Sequence, residues 1–203
     1  MNINQQQLSE MPDRYRAVFL NSLAGTKQAF LIGTTNLENQ YNLAIFNSLI
    51  HFGANPPLWG FVCRPETVKR DTLQNIIETG FYTINYVNTN YVEQAHQTSA
   101  KYPKNISEFE ACGFTPEFLE AYNVPFVKEA EVKILMKFQE KVDISNGTVL
   151  VLGAIEQISL SEDLLSEDGF VDFEKAQILS CVGLDAYYQT SIIKRMPYAR
   201  PTT

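Results

Sequence analysis

The chain has 203 residues, of which 45% are hydrophobic, 19% charged and 12% aromatic. This length matches one domain of about 150–200 residues, which folds without disulfides or a structural metal. Sixteen Lys and Arg face 23 Asp and Glu, a net charge of −7, which argues against a general attraction to nucleic acid or to an anionic membrane.

The polar start MNINQQQLSEMPDRYR lacks the apolar core of a signal peptide. Apolar runs such as Val149 to Leu152 fall far short of a membrane span. The expectation is a soluble, cytoplasmic protein with one domain over residues 1–203. Cys63, Cys112 and Cys181 are widely spaced and odd in number, so they form neither a disulfide framework nor a zinc site. With His51 and His96 as its two histidines, the chain has no multi-histidine metal site. A Cys–His nucleophilic pair stays open beside the plainer reading of small buried thiols. No nucleophile elbow, dinucleotide fingerprint or phosphate-binding P-loop is present. An enzyme of this kind would take its chemistry from a bound organic cofactor.

In chain order, residues 1–13 read as a loose arm, followed by a short helix from Arg14 to Leu23. Ala29 to Thr35 and Tyr41 to Leu49 read as strands around a polar turn. Asn55-Pro56-Pro57 breaks the pattern, and Leu58 to Cys63 is a third strand; prolines suit its entry. Asp71 is the expected N-cap of a helix, with Gln74 in capping-box position and Gly80 at the C-terminus. Phe81 to Tyr86 is rich in β-formers. Tyr91 to Tyr102 reads as helix, and residues 103–125 as a helical excursion outside the sheet. From Val132 to Ile144 the even positions other than Glu140 are apolar, the period-2 signature of a half-buried strand. Asn146-Gly147 signals a two-residue hairpin turn, and Thr148 to Leu160 is the partner strand. Ile178 to Tyr188 is expected to return to the sheet. About six antiparallel strands predict a barrel or sandwich with peripheral helices.

Three segments carry chemistry. In residues 63–72, CRPETVKRDT, the cations Arg64, Lys69 and Arg70 cluster before a helix start. Free backbone N–H groups, the helix dipole and Arg forks suit a phosphate there. A solvated basic loop is the competing reading. In residues 41–61, Asn47 and Ser48 could bind a polar ligand whose rings pack on Phe46 or Trp59. Asparagines also end strands for purely conformational reasons. His96 either faces a ligand or is a hydrogen-bonded structural residue.

The order of these segments resembles the flavin reductase-like, FMN-binding split-barrel family. Phe30 to Thr35, Asn42 to Ser48, Pro56-Pro57-Leu58, Asp71-Thr72 and Phe81 to Asn85 stand where that family carries its motifs. Asn42 and Pro56 are fourteen residues apart, as the family pattern asks. Arg14 to Ala17, the EQAHQTSAKY segment and Gly183 to Tyr188 extend the resemblance over roughly residues 14–190. Two positions depart from the pattern: Asn47 replaces a usual Ser, and Asp71 a usual His.

The resemblance implies a six-stranded antiparallel Greek-key split barrel that works as a homodimer with FMN between subunits. It implies FMN contacts from the backbone around Ala44 to Phe46 and from Asn47, Ser48, Arg64, Arg70 and Thr72, with no metal and no assigned catalytic side chain; His96 is expected near the flavin as well. Asp71 would point at its own helix and away from the phosphate. The implied activity is NAD(P)H-dependent reduction of flavin or another small-molecule acceptor, with NADH or NADPH as donor. The alternative is a non-enzymatic FMN electron carrier that serves a partner reductase.

Overall fold

The computed structural model describes residues 1–65, 71–103 and 105–201. Its helices are α1 (Gln5–Glu10), α2 (Asp13–Leu23), α3 (Asp71–Thr79), α4 (Val92–Gln97) and α5 (Glu108–Cys112). Its first strands are β1 (Thr26–Gln28), β2 (Phe30–Thr35), β3 (Tyr41–Phe46), β4 (Ile50–Ala54), β5 (Pro57–Cys63) and β6 (Phe81–Tyr86). They are followed by β7 (Pro116–Leu119), β8 (Tyr122–Val127), β9 (Val132–Asp143), β10 (Val149–Leu160), β11 (Leu179–Val182) and β12 (Ala186–Gln189).

Seven strands form the main antiparallel sheet, in the order β3-β2-β6-β9-β10-β5-β4. β3 and β4 lie at opposite ends of this order, yet only residues 47–49 separate them in the chain. So short a link forces the two ends of the sheet together, and the sheet rolls into a barrel. Ser48 stitches the gap: its hydroxyl donates to the Val62 carbonyl at 3.2 Å and accepts from the Val62 N–H at 3.0 Å. A side chain thus joins β5 to the link where no ladder runs between the ends, which makes the barrel a split one.

The barrel interior holds Phe30, Ile32, Phe61, Tyr82, Ile84, Tyr86, Ile134, Met136 and Val151. Phe46 meets Phe30 at 6.1 Å and Phe61 at 5.1 Å between ring centroids. Leu73 and Ile76 of α3 join this core from outside the sheet. A second cluster lies on the outer face, where Leu31 and Leu43 pack with Ala95, Phe109 and Cys112 of α4 and α5 and with Leu179 and Cys181 of β11. Both faces of β2 are therefore buried, which is why it reads as a continuous apolar run.

Several expectations are revised. The main sheet has seven strands where six were expected, because Ile50–Ala54 adds an unforeseen edge strand. The arm of residues 1–13 contains α1, stabilised by a capping box between Asn4 and Gln7. The helix expected from Tyr91 to Tyr102 ends at Gln97, where the Thr98 hydroxyl turns back to the Ala95 carbonyl. The excursion at 103–125 contains one helix, α5, and then the β7–β8 hairpin. That hairpin lays Val124 and Phe126 over Leu135, the one apolar residue on the odd face of β9. Residues 178–188 do not rejoin the main sheet: β11 and β12 form a separate three-stranded sheet with β1. The turn at Asn146-Gly147 is a three-residue loop. Ile144 N–H meets the Thr148 carbonyl, and only Gly147 takes a positive φ, of 82°. The β9 alternation stops producing burial after Phe138, because β6 pairs no further than Lys137 and the rest of β9 is paired on one side only, by β10.

Two close approaches position the outer layer. At Gly33 an added Cβ would strike the Pro125 carbonyl, so β8 can lie against β2 only where a side chain is missing. Glu108 of α5 accepts the edge-facing Leu43 N–H at 3.0 Å, satisfying a donor that β3, as an end strand, cannot pair. Burial raises the Glu108 carboxyl above its usual value, and nearby Asp71 adds to that, while the Leu43 hydrogen bond opposes it.

Gly33→Ala is expected to lower stability by about 1–3 kcal/mol through overpacking; a denaturant midpoint equal to the parent's would refute this. For Glu108, a folded pKa above the unfolded one means that folding favours the protonated carboxyl. That contribution is complete below about pH 4.3 and fades as pH rises through the folded value. Glu108→Gln keeps an acceptor for Leu43 without the charge. Its melting temperature should match the parent's near pH 4 and exceed it at pH 7, as thermal unfolding across that range can test.

Candidate functional site

The end strand β3 and the 47–49 link form the centre of the site. Because Leu43 directs its N–H away from β2, the alternation of an antiparallel ladder directs the Ile45 N–H and C=O outward as well. Residues 44–49 are all half-buried, neither packed away nor fully solvated. Ligands that hydrogen-bond to backbone suit such an edge.

Each predicted residue takes a distinct place. Phe46 packs into the barrel core between Phe30 and Phe61, so its ring is structural and its backbone belongs to the open edge. The Asn47 amide donates to the Gly183 carbonyl at 2.9 Å. The Ser48 hydroxyl closes the barrel on Val62, which uses its one proton and leaves one acceptor lone pair. Arg64 is exposed, two residues beyond Val62 on the segment that leaves β5, close to the Ser48 stitch. Arg70 lies outside the described residues.

Thr72 is in the first turn of α3 and only 5% exposed. Its hydroxyl accepts from the Asn42 amide at 3.0 Å and keeps its own proton to donate. Asn42 on β3 and Asn47 just past its end are five residues apart, about 16 Å of extended chain at 3.3 Å per residue. A ligand that reached both Thr72 and Asn47 would have to be elongated.

Asp71 is the first helical residue of α3, so it does not take the N-cap position expected of it. It lines a small cavity of about 30 Å³ with Asn42, Asn75, Tyr102 and Glu108. Within that first turn its carboxylate already offsets part of the positive end of the α3 dipole.

His96 lies on α4, exposed, with Nδ1 2.8 Å from the Tyr187 hydroxyl. Tyr187 is on β12, and Gly183, the partner of Asn47, is in the turn of the same β11–β12 hairpin. This hairpin links Asn47 to His96. Burial and the neighbouring Cys181 and Asp185 raise the Tyr187 phenol to about 12.

Cys63, Cys112 and Cys181 are buried and form no disulfide, and burial pushes the thiols of Cys112 and Cys181 upward. Neutral buried thiols are poor nucleophiles. Among the described residues no group of three His, Cys, Asp or Glu could hold a metal ion, and no helix is long and apolar enough to cross a membrane. Sequence reasoning missed Tyr187, Gly183 and Glu108 as partners of the site. The Gly183 to Tyr188 segment was a recognisable signal, but its contacts with residues 47 and 96 span 136 and 91 positions.

Residues 23–178 match the family model of the flavin reductase like domain. A solved structure of a candidate flavin reductase with a split barrel domain from Shewanella frigidimarina is 44% identical. It superposes with a TM-score of 0.94 over 98% of this chain and 100% of that one. Nitrilotriacetate monooxygenase component B from Bacillus cereus is 22% identical, with a TM-score of 0.85 over 97% of this chain and 98% of that one. An FMN-binding protein from Thermus thermophilus is 18% identical, with a TM-score of 0.70 over 85% and 91%. At such identities the last two share the fold alone. The family model spans most of the chain, and the 44% identical relative aligns along nearly all of it: the chain belongs to the flavin reductase-like family of split-barrel proteins.

Proposed function

We propose that the chain binds FMN along the open edge of β3 and acts as an NAD(P)H-dependent oxidoreductase that reduces flavin or another small acceptor. The observation that carries this reading is the half-buried stretch of residues 44–49, with the Ile45 backbone facing outward, Thr72 of α3 near one end of it and Arg64 on the segment that leaves β5. When bound, FMN supplies hydride acceptance and donation at its ring, so no protein nucleophile is required. The family membership and the FMN-binding neighbour of the same fold support this choice.

The chain's own groups would do the following. The Ile45 backbone offers one donor and one acceptor to the ring edge. Asn47, held by Gly183, keeps its carbonyl oxygen for a hydroxyl of the ligand. Thr72 and Arg64, with Arg70, would hold the phosphate, where a charge-assisted fork is strongest. The aromatic core behind Phe46 keeps water from the inner side of the edge.

Titration with FMN and riboflavin tests this. Arg64→Ala should weaken FMN roughly tenfold to a hundredfold and leave riboflavin nearly unchanged. Equal binding of the two flavins by the parent would reject the phosphate grip. Steady oxidation of NADH or NADPH with excess FMN identifies an enzyme, whereas a single stoichiometric reduction identifies an electron carrier.

The reading includes a homodimer. No residue of α2 is buried, and Tyr15, Val18 and Leu23 are each more than half exposed. Residues 190–201 have no secondary structure, and Ile193, Met196 and Tyr198 project from them almost uncovered. A second copy can cover both surfaces reciprocally under two-fold symmetry. Light scattering at micromolar concentration should give the dimer mass, and a monomer mass with FMN bound would reject this.

A further inference from the structure

The β11–β12 hairpin contacts two site residues through different atoms, Asn47 through the Gly183 carbonyl and His96 through the Tyr187 hydroxyl. The His96 and Tyr187 rings meet edge to face, with centroids 5.6 Å apart and planes at 85°. Among the described residues Tyr187 Oη has no other hydrogen-bond partner, and His96 Nε2 has none. The Tyr187 phenol keeps its proton at neutral pH. A phenol O–H is a stronger donor than an imidazole N–H, and an unprotonated imidazole nitrogen a stronger acceptor than a phenol oxygen, so the 2.8 Å contact favours the phenol as donor. With the phenol donating to Nδ1, both groups are satisfied and the imidazole proton sits on Nε2.

We propose that Tyr187 is a positioning residue that fixes His96 as the Nε2–H tautomer, so that α4 presents that N–H as a hydrogen-bond donor beside the hairpin that also holds Asn47. The group it would meet is an acceptor oxygen of the flavin, a part of the inference that rests on the FMN reading above. Tyr187 acts through His96 and touches no ligand itself.

Ring ¹⁵N spectra of the full-length, flavin-free chain read the tautomer directly, with exposed His51 on β4 as internal reference. In the parent, His96 should show an acceptor-type Nδ1 and a protonated Nε2, while His51 shows averaged nitrogens. In Tyr187→Phe, His96 should become averaged too. In FMN titrations Tyr187→Phe should weaken binding roughly twofold to tenfold, and should add nothing in a His96→Ala background. An averaged His96 in the parent overturns the proposal, a result that needs no variant to fold. A tautomer unchanged in Tyr187→Phe, or the same loss of FMN affinity with and without His96, also overturns it. If the parent shows the fixed tautomer but binds no FMN, the flavin reading fails and the positioning by Tyr187 stands.

Discussion

The three-residue link between Phe46 and Ile50 is the constraint on which the rest of the structure depends. An open seven-stranded sheet would expose two edges, each a row of unpaired backbone groups. The link leaves the ends of this sheet no freedom to part, and the Ser48 hydroxyl bonded to both backbone groups of Val62 holds them together. Closure by a side chain and not by a ladder leaves β3 accessible along its outer edge. The feature that completes the barrel is also the one that leaves this stretch of edge open.

The outer layer then determines which part of that edge remains open. Glu108 takes the Leu43 N–H, and α4 and α5 cover Leu31 and Leu43 from outside. The β7–β8 hairpin covers the other flank over Leu135, and the missing side chain at Gly33 lets Pro125 approach. What is left is residues 44–49, bounded by Thr72 at one end and by the β11–β12 hairpin at the other. The site is thus a remainder, the stretch of edge that neither helices nor hairpins occupy.

The chemistry follows from the same geometry. The thiols are buried, burial raises those of Cys112 and Cys181, and no group of three His, Cys, Asp or Glu among the described residues could hold a metal ion. The polar groups on the edge are backbone amides, an Asn, a Thr and a His held in place by neighbours. Such groups bind and orient; they do not attack. Under the proposed reading they would hold a redox-active ring and leave the electron transfer to it.

The sequence by itself determined the barrel class, most strand positions and the order of segments that marks the family, because alternating apolar residues, turn residues and caps act over a few positions. It also pointed to Asn47, Ser48 and Thr72 as residues of consequence. Only the tertiary structure decided what they do. Ser48 binds a backbone 14 residues away, Asn47 one 136 residues away, and His96 a phenol 91 residues away. The β7–β8 hairpin was misread as helix because Val124 and Phe126 reveal their period only against Leu135 of another strand. Local patterns specify which element forms; the partner of a polar side chain depends on how the sheet closes, and closure is a property of the whole chain.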